Sequence, residues 1–221
     1  MTHTLHRQGP PESFQHDYVL ISMAAQKINS EGSTPYLAAT FEILLSARTA
    51  NLADDNFGGI FTGLTADQIR GGINEKSYLG AVFTEEADLE AVLRRLKEAE
   101  LGMSVVVRGD WRKVFALCHQ IGIKPHTVNL SLGIFGQKGL LPESRVLQIT
   151  SMCGHGMICP DHVSWVVDRV RKGKMTPQKA GEHLCKPCTC GLVNPMRAAE
   201  IVSSLASSPP VDGQGERGGR R

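Results

Sequence analysis

Aromatic side chains are scarce in this sequence, 5% of 221 residues, and charge of neither sign prevails: the formal net charge is +2. Few aromatics leave little to stack on nucleic-acid bases. A near-neutral balance offers no basic field to nucleic acid or to an anionic membrane. Neither partner is expected. No apolar run approaches the ~20 residues of a membrane helix. The first residues hold no apolar stretch of the signal-peptide kind. A cytoplasmic location is therefore expected. Thiols stay reduced there, and clustered cysteines are metal ligands or catalytic groups more often than disulfides. Nucleotide and nucleophile motifs are missing too. Phe57-Gly-Gly-Ile-Phe-Thr-Gly is not followed by Gly-Lys-Ser/Thr, as a phosphate loop requires. No G-x-G-x-x-G follows Val107, and the glycines near Ser131 make no nucleophile elbow.

With 41% hydrophobic and 21% charged residues, the chain can build an ordinary globular core. Residues 1–16 read as a loose leader. Tyr18 to Ile28 is ambiguous between strand and helix. Pro35, Leu37, Phe41 and Leu44 mark a helix. From Tyr78 the pattern sharpens. Tyr78 to Phe83 reads as a strand, and Leu89, Val92, Leu93 and Leu96 as the stripe of a helix that Gly102 ends. Ser104 to Val107 suits a strand. Asp110 caps a second helix with Val114, Leu117, Cys118 and Ile121 on one face. His126 to Ile134 alternates as a strand would, and Arg145 to Met152 reads as a last strand leading into Cys153. The expected fold class is α/β: a βαβαβ, mainly parallel sheet in a domain spanning 17–152. A small helical, cysteine-rich region follows over 153–206. Residues 207–221, rich in Pro, Gly, Ser and Arg, are expected to be a disordered tail. In parallel sheets ligands sit beyond the carboxyl ends of strands, and Cys153 is expected there.

Five of the six cysteines, Cys153, Cys159, Cys185, Cys188 and Cys190, fall between Met152 and Gly191. Each stands beside or close to proline or glycine rather than in a packing period. Cys118, on an apolar stripe, reads as a small buried hydrophobe. Thiolates from two distant loops need a metal, a cluster or a disulfide to hold them. Zinc wants four ligands, usually as two short knuckles. Cys185-Lys-Pro-Cys188 is one, but Cys153 and Cys159 are set too far apart for a usual second, so His155 or Cys190 would have to substitute. An iron–sulfur cluster spreads its ligand positions and accepts thiolates two residues apart, as in Cys188-Thr-Cys190.

Cys159-Pro160 and the run Cys185-x2-Cys188-x-Cys190 resemble iron–sulfur proteins in general. The resemblance covers the last quarter of the folded chain and matches the motif of no specific family. It implies a 4Fe-4S cluster as cofactor, with zinc as the alternative. Cys153, Cys188 and Cys190 are the leading ligands, and Cys159 and Cys185 compete for the fourth place. Gly154, Gly156 and Gly191 let the backbone come close and aim N–H groups at sulfur. His155, flanked by glycines, is a candidate proton donor or ligand. Arg169, Arg171, Lys172 and Lys174 form a basic rim, either solvated or turned to an acidic partner.

The expected function is that of a cluster-binding redox protein or a cluster-dependent oxidoreductase or lyase. A redox partner protein or a small-molecule substrate is then expected. The alternative is a zinc-stabilised interaction module.

Overall fold

The computed structural model describes residues 6–208. The first residues of the expected leader and the tail from 209 onward lie outside the described residues.

Tyr18–Met23 (β1) is apolar at every position except Ser22, and all six of its residues are buried. Such a run suits a strand covered on both faces. β1 stands inside a five-stranded sheet with Asn51–Asp54 (β2), Gly58–Gly59 (β3), Tyr78–Phe83 (β4) and Ser104–Arg108 (β5). The order is β3-β2-β4-β1-β5, and every neighbouring pair is antiparallel. The mainly parallel sheet expected from the sequence is therefore overturned. The connections β4–helix–β5 and β1–helix–β2 do join strands of like direction. Each time another strand, β1 or β4, lies between the two. Two βαβ units are thus interleaved, a split arrangement. Sequence periodicity bears on whether a segment is a strand, and carries nothing about which strand it sits beside.

Two further expectations fail for local reasons. Arg145 to Met152 is not a strand. Ser144–Thr150 is a helix (α5), because the Glu143 carboxylate accepts the N–H groups of Arg145 and Val146 and so caps it. Val146 and Ile149, three apart, face the core. Cys153 thus follows a helix and not the carboxyl end of a strand. His126 to Ile134 alternates but forms no ladder, and Val128, Leu130 and Leu132 stay exposed.

Alternation along the strands divides the sheet's two faces. Tyr18, Leu20, Leu52, Leu79, Ala81 and Phe83 pack against helices Thr34–Leu45 (α1), Glu86–Ala99 (α3) and Trp111–Ile121 (α4), with Ile69 from Ala66–Gly72 (α2). Cys118 lies in this core, as its stripe position foretold. Val19, Ile21, Met23 and Val82 face the other way. They pack against α5 and the helices Pro160–Arg171 (α6), Pro177–Cys185 (α7) and Pro195–Ser207 (α8). The cysteine-rich helical region therefore forms the second outer layer of the sheet and shares its core. The three late helices begin as their sequences direct. Each has proline in its first turn, and Thr176 and Asn194 accept backbone N–H bonds as caps of α7 and α8.

Candidate metal centre

The loop between α7 and α8 lies flat on the sheet because small residues face it. A methyl group at Gly80 would sit 2.5 Å from the Cys190 carbonyl oxygen, and one at Gly191 2.5 Å from Ala53 Cβ. Gly191 also holds φ +65°, a conformation that side chains disfavour. Asn51 on β2 anchors the loop from below, its Nδ2 donating to the Val193 carbonyl at 2.9 Å. Cys185 ends α7, and the Cys188 N–H turns back to its carbonyl at 2.9 Å. The tight turn after α5 brings Cys153 to the same place, with the Gly156 N–H on the Cys153 carbonyl at 3.0 Å and Gly156 at φ +69°.

Four of the five expected thiols are buried together in one core: Cys153, Cys185, Cys188 and Cys190. Cys188 Sγ lies 3.4 Å from Cys190 Sγ. Cys153 is hydrogen-bonded to Cys188. Cys185 is wholly buried, its Sγ 3.7 Å from the Val193 carbonyl. Cys159 stays exposed as the residue preceding α6, outside the buried group. Backbone N–H groups reach the sulfurs: those of Met157 and His155 meet Cys153, and that of Leu192 meets both Cys188 and Cys190. Such bonds steady thiolate charge.

The thiols share protons along a chain. The hydrogen bond to Cys188 holds the Cys153 proton in place, and burial adds to this, so its pKa is raised. Cys188 is drawn down by its bond from Cys153. Its own bond to Cys190 and burial outweigh that and push it up to about 11. Cys190, accepting from Cys188, is drawn down. The most acidic thiol of the chain thus stands at its outer end.

That end opens on a pocket of ≈ 210 Å³ lined by Ile21, Met23, Asp55, Tyr78, Gly80, His155, Cys190 and Leu192. Ligand atoms of Asp55, His155 and Cys190 all lie within 4.8 Å of one another. Sequence reasoning found His155 and Cys190 but missed Asp55. Its only signal was a pair of acids before Asn56-Phe-Gly-Gly. Asp54 fixes that loop: its Oδ1 accepts from the Asn56 N–H at 3.1 Å and from the Tyr78 N–H at 3.3 Å. Gly154 lies in the same exposed turn as His155.

No protein-family model, curated protein or solved structure matches this chain.

Other residues near the cysteines have local duties. His183 meets His162 edge-on (5.2 Å between centroids) and lies tilted against Trp165 (5.5 Å). The basic rim is largely engaged within the fold. Arg169 lies over Trp165, Arg171 donates to the Leu205 carbonyl at the end of α8, and Lys172 pairs with Asp168 at 2.8 Å.

Sequence reasoning also missed a buried ionic hub beside the thiols. Asp17, wholly buried, receives Arg7 Nη1 at 2.5 and 2.7 Å, Arg197 Nη1 at 2.9 Å and Arg108 Nη1 at 3.2 Å. Asn194 Nδ2 adds a bond at 3.2 Å. Burial alone would raise Asp17, but Arg7, Arg197 and Arg108 together hold it below the usual carboxylate value. One readable signal for the hub was Arg197, a charge set among the buried alanines and aliphatics of α8.

Proposed function

We propose that Cys153, Cys188 and Cys190 hold an inorganic centre, and that this centre is an iron–sulfur cluster, of the 4Fe-4S kind, serving redox chemistry or a cluster-dependent reaction. The observation that supports this most is the convergence of thiols from two loops on one buried point, with backbone N–H groups aimed at their sulfurs and a pocket at the exposed side. A dry wall of such donors favours anionic sulfur and tunes its potential. When bound, the cluster would supply electron transfer. His155 and Asp55 stand where a small substrate would exchange a proton, and Ile21, Met23 and Leu192 keep that side of the pocket apolar. A pocket of this size takes a small molecule and not a nucleotide. Loading the site displaces the shared thiol protons, so affinity falls as pH falls.

A second reading, zinc in a structural site, draws on one distance. A tetrahedral ion with sulfur at ~2.3 Å sets its thiolates ~3.8 Å apart, close to the 3.4 Å between Cys188 and Cys190. Analysis of iron, acid-labile sulfide and zinc in protein purified without oxygen separates the two. The cluster predicts brown protein with iron and sulfide in equal amounts. Colourless protein with one zinc per chain would overturn it in favour of the second reading, and protein with neither would overturn both. His155→Ala should leave the iron content unchanged and, in the cluster reading, lower turnover once a substrate is in hand.

A further inference from the structure

The Asp17 hub is out of balance. Three guanidiniums surround one carboxylate, which leaves two positive charges in the interior. The side chains of Arg7 and Arg197 are 0% and 2% exposed, and Arg108 13%. An unbalanced buried charge is costly, and proteins pair it or neutralise it. Nε of Arg7 and Nε of Arg197 are buried without a partner among the described residues. Glu200, the other acid acting on Arg197, is exposed. Pairing within the hub therefore leaves the excess in place.

The hub is joined to the thiols through a single residue. Arg7 Nη2 donates to the Leu192 carbonyl, and the Leu192 N–H is the group that meets Cys188 and Cys190. Asn194 binds both Asp17 and the His16 carbonyl while capping α8. The loop from Cys188 to Asn194 is thus clamped between guanidiniums and sulfurs. Arg7 also acts on Cys185, whose neutral form burial otherwise favours.

We infer that this hub is the built-in counter-charge of the thiolate site, and that the site accepts a net-anionic, four-thiolate centre in which Cys185 is the fourth ligand and Cys159 takes no part. Four thiolates around a doubly charged ion or a doubly charged cluster core carry two net negative charges, the number the hub leaves over. Arg7 is then a positioning residue. It fixes Leu192 and supplies charge without touching the metal. The inference rests on the thiolate centre proposed above and holds for either of its two readings.

The test uses Co²⁺ as probe, on reduced, metal-free, full-length chain under nitrogen. Thiolate-to-cobalt charge-transfer absorbance grows with the number of thiolates and reports affinity in competition with a chelator. The wild type should show a four-thiolate spectrum. Cys185→Ser should lose about a quarter of the charge-transfer intensity if each thiolate contributes equally, and Cys159→Ser should lose none. Arg7→Met should keep the spectrum but bind about 10–100-fold more weakly. Arg7→Lys, which keeps the charge, should recover most of that loss. Arg108→Met, at the rim of the hub, should weaken binding in the same direction but less, and guards against a folding defect peculiar to residue 7. Equal affinity in the wild type and both methionine variants would overturn the counter-charge. A cobalt spectrum indifferent to Cys185→Ser would overturn the fourth ligand. A wild-type chain that takes up no cobalt would remove the thiolate centre itself, and this inference with it.

Discussion

The two faces of one sheet are buried by different chemistry. Against α1, α3 and α4 the core is hydrocarbon and aromatic, drawn from Leu20, Phe41, Phe83, Leu89 and their neighbours. Against α5–α8 the sheet gives up bulk. It presents Gly80 and Ala53, so that a loop carrying thiols can lie on it, and a charged hub closes the adjoining end. The first face needs volume and apolarity, which many sequences supply. The second needs particular atoms at particular places, since each buried polar group left without its partner costs free energy. The first face is apolar throughout, whereas the second gathers the thiols beside its aliphatic residues.

The contrast can be broken from either side. Asp17→Asn is expected to have the largest effect, because it strands three guanidiniums: about 3–5 kcal/mol, the usual cost of removing one partner from a buried ion pair, read as the urea midpoint and slope. Its pH dependence carries the same signature. Asp17 is depressed when folded, so the stability it contributes is present in full above the unfolded carboxylate value of ~3.9. That stability is lost as pH falls through the folded value. The wild type should therefore weaken below pH ~4, and Asp17→Asn should flatten that limb. On the hydrocarbon face, Leu89→Ala should cost about 2–5 kcal/mol and yet leave metal content per folded chain unchanged.

Gly80→Ala sharpens the comparison. Its methyl group meets the Cys190 carbonyl, and overpacking of this kind costs roughly 1–3 kcal/mol. Metal binding should suffer more than stability, and chelator competition set beside urea unfolding would show it. The smallest effects belong to exposed positions. Cys159→Ser and Leu132→Ser should each stay within about 0.5 kcal/mol of the wild type, and neither should alter metal uptake. A large loss from Cys159→Ser would return that residue to the ligand set.

Much of this division was visible in the sequence. The convergence of Cys153 with Cys188 and Cys190 was expected from thiols set beside glycine bends, and helices α1, α3 and α4 followed from their stripes and caps. Strand neighbours did not, because a period of two carries no record of which strand lies alongside. That is why β4 and β5 looked adjacent when β1 separates them. The segment at Arg145 failed for a narrower reason: a glutamate cap outweighed an apolar run that either period could fit. The hub was hidden by distance. Arg7, Asp17, Arg108 and Arg197 are unremarkable one at a time, and only the fold shows that they share a single carboxylate.

One contact sets an order on events in the cell. Arg7 grips the carbonyl of Leu192, which is 185 positions further along. A ribosome must release all the residues between them before that grip can close. The thiols at 185–190 emerge long after Arg7, which waits for them. The thiol loop therefore gains this support only once folding brings positions 7 and 192 together, and loss of Arg7 would be felt at Leu192.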